Sequence, residues 1–147
     1  MITVDLEDLY KYEKVLSDPN ADIADRTDSL FCIKAFKEVE AIDSLIRSFH
    51  AEPKSELLKH EICYCMGQMD KSLEHIEKIQ PFLEHVIDEK NGYQEIVVHE
   101  AVEAMGNLNH QNTLSLLKKY EDENKTTTML YETCFLAKEL IAWKAAT

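Results

Sequence analysis

Two near copies of one short segment constrain this chain more than anything else in it. The first is Leu57-Leu58-Lys59-His60-Glu61-Ile62-Cys63-Tyr64-Cys65-Met66-Gly67 and the second is Ile96-Val97-Val98-His99-Glu100-Ala101-Val102-Glu103-Ala104-Met105-Gly106. Each has aliphatic residues two and three places before a His-Glu pair, and Met-Gly four residues after it. Thr27-Asp28 and Tyr131-Glu132 fall in the same register, giving offsets of 33, 39 and 32 residues. A period in the low thirties, with a six-residue excess placed near Lys71–Lys78, is the mark of a solenoid of helix pairs. One pair cannot bury its apolar face alone, so successive pairs stack into a continuous core.

Composition agrees with an all-α chain. Three Gly and three Pro in 147 residues are too few for a turn-rich β architecture, and Leu, Glu, Lys and Ala favour helix. With 45% hydrophobic residues, residues 1–147 suit one repeat domain of about four antiparallel helix pairs. The periodicity places helices at 5–17, 22–37, 40–50, 56–67, 72–89, 94–106, 111–122 and 127–145, with a loop at Glu121–Thr128. Ile23, Leu30, Ile33 and Ala35 mark the buried side of the second helix, and the seventh carries Leu114, Leu116 and Leu117. Leu136 and Trp143 are among the packing residues of the eighth. Ser55 caps the fourth helix, while Pro81 divides the fifth region in two.

Several classes are excluded. No run approaches the roughly eighteen apolar residues of a membrane span, and the acidic start Met-Ile-Thr-Val-Asp-Leu-Glu-Asp is unlike a secretory signal, so a cytoplasmic location is expected. The net charge of −12 disfavours nucleic acid and anionic membranes and favours a basic protein partner. Cys63 and Cys65 diverge by about 200° on a helix and cannot chelate one ion together. With Cys32 and Cys134 they read as reduced core thiols, and Met66 and Met105 also read as core. His50, His75, His85 and His110 read as solvated residues, and Gly67 and Gly106 as sites of close helix packing or termination.

In a solenoid, equivalent positions line up on one face, so His60 and His99 are expected on neighbouring helices with Glu61 and Glu100 beside them. Two imidazoles and a carboxylate form the donor set of a non-haem Fe(II) site with open positions. Neither copy is His-Glu-x-x-His, because Tyr64 and Glu103 stand where the second His would be. Glu103, four residues after His99, shares its helix face: it either lines the pocket and orients His99 or is a plain surface carboxylate.

The runs Ser55–Met69 and Val98–Gly106, with Glu132-Thr133-Cys134 and Trp143, resemble deoxyhypusine hydroxylase over residues 26–143. The resemblance implies a HEAT-like monooxygenase that uses Fe(II), two ions per completed site, and dioxygen to hydroxylate the deoxyhypusine side chain of a translation factor to hypusine. By position it implies His60, His99 and Glu100 as iron ligands. Glu61 becomes the catalytic and substrate-binding residue, its carboxylate facing the substrate amine, and Glu103 a further substrate contact at the pocket. A carboxylate is the natural partner of a polyamine-like cation, and an acidic surface would steer a basic loop. Iron affinity should fall on acidification, because a protonated imidazole cannot ligate.

Members of that family usually carry two such halves, and this chain has the motifs of one, resembling the N-terminal half. A homodimer would bring two half-sites together across a two-fold axis, the other routes being a separately encoded second half or a chain that binds one metal or none. The alternative is a non-catalytic HEAT-like scaffold whose acidic concave face grips a basic protein partner.

Overall fold

The computed structural model describes residues 6–124 and 128–147, so the first residue assigned to helix one, and 125–127 of the last loop, lie outside the described residues. The helices are α1 (Leu6–Leu16), α2 (Ile23–Lys34), α3 (Glu40–Ala51), α4 (Glu56–Gln68), α5 (Leu73–Ile87), α6 (Glu95–Leu108), α7 (Thr113–Glu123) and α8 (Thr128–Ala146), with a short 3-10 turn at Glu89–Asn91. The chain is thus an all-α, HEAT-like solenoid. Helices α2, α4, α6 and α8 form one row, α1, α3 and α5 pack behind it, and α7 packs on α8.

Local chemistry sets the helix starts. The Ser55 hydroxyl accepts from the Leu58 amide at 3.1 Å, Ser72 from His75 at 3.3 Å and Asp22 from Ala24 at 3.2 Å. The amphipathic pattern then does the packing: Ile42, Leu45 and Phe49 of α3, and Ile79, Leu83 and Val86 of α5, are buried. Met66 and Met105 are fully buried as expected, and the four cysteines are free thiols, three of them buried.

The two repeat glycines act as spacers. A Cβ on Gly67 would sit 2.9 Å from the Ala104 Cα, and one on Gly106 would sit 3.2 Å from the Ala137 Cβ. Each lies seven residues, two turns, beyond its His, so the absent side chains let α4 close on α6 and α6 on α8 at the level that sets the His-Glu pairs. A Gly67→Ala chain should lose about 1–3 kcal/mol from overpacking, read as a lower urea midpoint.

A buried ion pair fixes the entry to α4. Arg26, from α2, donates its Nε to the Leu16 carbonyl at 2.9 Å and pairs with Glu52, and both residues are almost wholly buried. The other Glu52 oxygen accepts from the amides of Lys54 and Ser55 at 3.0 and 2.9 Å. Burial raises the Glu52 carboxyl, but those amides and the guanidinium outweigh it and hold the carboxyl below its ordinary value.

The structure departs from the sequence reading in four places. Helix α5 is continuous through Pro81, which lies on its exposed side. Burial of Ile79, Phe82, Leu83 and Val86 on the other side carries the helix across the break. The six-residue excess does not lie at Lys71–Lys78. It is divided between α5, which has 15 residues against 12 in α3, and the longer connection 88–94 with its 3-10 turn and left-handed Gly92.

His75 and His110 are buried, not solvated. His75 Nδ1 lies 2.7 Å from Ser72 Oγ, while His110 accepts the Asn112 amide at Nδ1 and so donates Nε2–H to Glu77 at 3.0 Å. Finally, Ile23, Ala35, Leu114, Leu136 and Trp143 are exposed.

Candidate metal centre

The His-Glu pairs meet where α4 crosses α6. Among the described residues, His99, Glu100 and Glu103 form a group of possible ligands whose atoms all lie within 4.8 Å of one another. His60 joins this group through Glu100, with Nε2 3.0 Å from the Glu100 Oε2, and its Nδ1 lies 3.2 Å from Glu61 Oε1. The structure therefore brings His60, Glu61, His99, Glu100 and Glu103 together, with Glu103 rather than His60 completing the tight threesome.

The hydrogen-bond network sets the protonation of His99. The Thr133 hydroxyl donates to the Met129 carbonyl at 2.7 Å, so its oxygen is left to accept from His99 Nδ1–H at 2.8 Å. The proton is thus on Nδ1, and the Nε2 lone pair points toward Glu103, 3.6 Å away. A ring held in this tautomer by a hydroxyl is arranged as a ligand. Thr133 carried no role in the sequence reading because it stands two residues past the Tyr131 register position. Thr133→Val should lower metal affinity about 10–100-fold by calorimetric titration while leaving the helices intact.

His60 has a carboxylate oxygen on each ring nitrogen. A neutral imidazole has one N–H, so one of the two contacts requires a cation, either a second proton or a metal. Glu100 makes the same demand. It is 6% exposed, and burial followed by repulsion from Glu103 raises its carboxyl above the ordinary value, with His60 opposing and Glu61 adding to the rise. The carboxylates of Glu61, Glu100 and Glu103 gathered with two imidazoles and no thiolate fit a divalent ion of the Fe(II) type.

The nearby thiols do not compete, since burial pushes Cys65 up to about 12 and Cys63 higher still. The outer register positions behave as scaffold: the Thr27 hydroxyl bonds back to the Ile23 carbonyl at 2.8 Å.

A cavity of about 250 Å³ opens between α6 and α8 beside this group. Glu103, Asn107 and Thr133 line its polar side, and Gly106, Ala137, Leu136 and Leu140 its apolar side. No helix among the described residues is long and apolar enough to cross a membrane.

No family model matches the chain. Individual proteins do. Deoxyhypusine hydroxylase of Danio rerio is 34% identical over 137 residues, covering 93% of this chain and 42% of that protein. The Debaryomyces hansenii protein of the same name is 35% identical over 153 residues, covering 97% and 46%. Among solved structures, human deoxyhypusine hydroxylase in complex with glycerol superposes with a TM-score of 0.79 at 30% identity, covering 93% of this chain and 44% of that one. The chain spans about two fifths of the length of the curated relatives it matches. In sequence and in fold, it is a relative of deoxyhypusine hydroxylase.

Proposed function

We propose that this chain binds Fe(II) through His60, His99 and Glu100, with Glu103 beside them, and hydroxylates the deoxyhypusine side chain of a translation factor in the cytoplasm. The observation that carries the proposal is His99, whose Nε2 lone pair Thr133 turns toward two carboxylates from its own helix. Iron, when bound, would supply activation of dioxygen.

The protein groups have separate tasks. Glu61 holds His60 Nδ1–H with one oxygen, so its other oxygen is free for an ammonium. Glu103 is half exposed at the cavity mouth, where a second ammonium of a long cationic side chain can reach it. The apolar wall of Leu136, Ala137 and Leu140 keeps water from the aliphatic part of such a chain. The net charge of −12 steers a basic substrate loop to this face. Two irons and two half-sites per active unit, supplied by a homodimer, complete the reading.

Anaerobic Fe(II) titration and a hydroxylation assay on a deoxyhypusine-bearing factor test it. His99→Ala should abolish iron binding. Glu61→Ala should keep iron, at about 10–100-fold weaker affinity, and lose substrate binding. A chain that takes up no iron would leave only the scaffold reading, and full iron content in His99→Ala would remove that residue from the ligand set.

A further inference from the structure

The cavity between α6 and α8 contains one polar side chain to which neither the packing nor the metal group gives a task. Asn107 stands four residues beyond Glu103 and eight beyond His99, so the three follow one side of α6. Glu103 and Asn107 both line the cavity. The Asn107 carboxamide is half-buried and makes no hydrogen bond among the described residues. Its acceptor oxygen is therefore left for whatever enters the cavity.

The surroundings define the ligand. No residue that lines the cavity is basic. Helix α6 ends at Leu108 with no basic side chain in its last turn, and the unpaired carbonyls of a helix end carry the negative pole of its dipole. With the Glu103 carboxylate one turn back, this end of the cavity favours a cation. The facing wall is Leu136, Ala137 and Leu140, which disfavours a hydrated inorganic ion and suits a cation on an aliphatic stem. A primary ammonium has three N–H donors, and acceptors four residues apart on a helix are neighbours that can share it.

We propose that Asn107 determines specificity: together with Glu103 it holds the terminal primary ammonium of an alkylamine side chain, carboxylate and carboxamide each accepting an N–H. The inference rests on the proposed function for a substrate that carries such a group, and deepens that reading by naming what is read. Full methylation of the nitrogen keeps its charge and removes its donors. Glu103 still attracts a quaternary ammonium, whereas Asn107 has nothing to accept from it. The pocket thus selects an unmethylated amine by the neutral residue, not by the charged one.

Butylamine and butyltrimethylammonium, titrated at neutral pH into the full chain with Zn(II) as a diamagnetic, redox-inert occupant of the metal group, are the probes. Nitrogen-correlated NMR gives the readout, from the Gly106 backbone amide and from the Asn107 side-chain amide, the latter assigned by its loss in Asn107→Leu. Butylamine should shift both saturably and bind about tenfold more tightly than the quaternary ion. Asn107→Leu should bring the two affinities within about threefold by weakening butylamine alone, and Asn107→Asp, which keeps an acceptor, should restore the preference. Equal affinities in the parent, or no binding of either amine, would overturn the inference. So would a preference that survives Asn107→Leu intact. The reaction is scored separately: a chain that prefers butylamine but hydroxylates no deoxyhypusine-bearing factor loses the reaction and keeps the pocket, and one that hydroxylates the factor without the preference keeps the reaction and loses the pocket.

Discussion

Glu100→Gln should produce a protein that is more stable than the parent in chelator and less stable than the parent in excess Fe(II). In the metal-free chain the Glu100 carboxylate is out of water, with Glu61 and Glu103 nearby and His60 as the one group that relieves it. Its raised carboxyl value has a definite sign in linkage terms. A carboxyl that holds its proton more tightly when folded favours folding at low pH, and that advantage disappears as pH rises through the folded value. At neutral pH the charge is therefore a cost to the empty site, which the neutral amide removes while its oxygen still accepts from His60. A bound ion reverses the balance, since free metal at 100 times its dissociation constant stabilises by about 2.7 kcal/mol. The parent should gain this amount and the variant almost none. Thermal melts of both proteins in chelator and under anaerobic Fe(II) provide the check, and equal metal-induced shifts would show that Glu100 does not ligate.

The repeat register was legible because it is written twice in side chains that have different jobs. His-Glu reports the site, and Met-Gly reports the packing that positions it: Met66 and Met105 fill the core while Gly67 and Gly106 let the row close. What the register could not convey was anything supplied from outside it. Thr133 acts on His99 from the next helix at an offset of 34 residues, and no local pattern marks a hydroxyl that must turn its proton toward its own helix.

Glu103 illustrates the limit of helical periodicity. Its spacing from His99 gave a shared face, but whether a shared face means surface or ligand group depended on how near Glu100 would lie. Burial failed for a related reason. Leu136 and Trp143 carry the apolar signal of packed positions, yet both are exposed within the described chain. Imidazole is polar in any composition count, so the sequence alone places His75 and His110 at the surface; in the interior His110 is bonded at both ring nitrogens and His75 at Nδ1 alone.

Arg26→Met should be among the most damaging single substitutions away from the site, costing about 3–5 kcal/mol, because it leaves Glu52 buried without its partner. The loss extends beyond one ion pair, since Glu52 also receives the amides of Lys54 and Ser55, and Ser55 starts the helix that carries His60 little more than a turn later. The double variant Arg26→Met/Glu52→Gln should recover most of the stability, because the amide oxygen can keep those two donors while no buried charge remains. The effect should depend on pH in one direction. Glu52 is held below its ordinary value, so its contribution is present above about pH 4.3, the unfolded carboxyl value, and is lost as pH falls through the lower folded value. The gap between parent and Arg26→Met in urea unfolding should thus be widest near neutrality and narrow steadily in acid. If the gap stays constant with pH, the damage comes from lost packing around the Arg26 side chain. If Arg26→Met costs less than about 1 kcal/mol at neutral pH, Glu52 has found water and the pair does not brace α4.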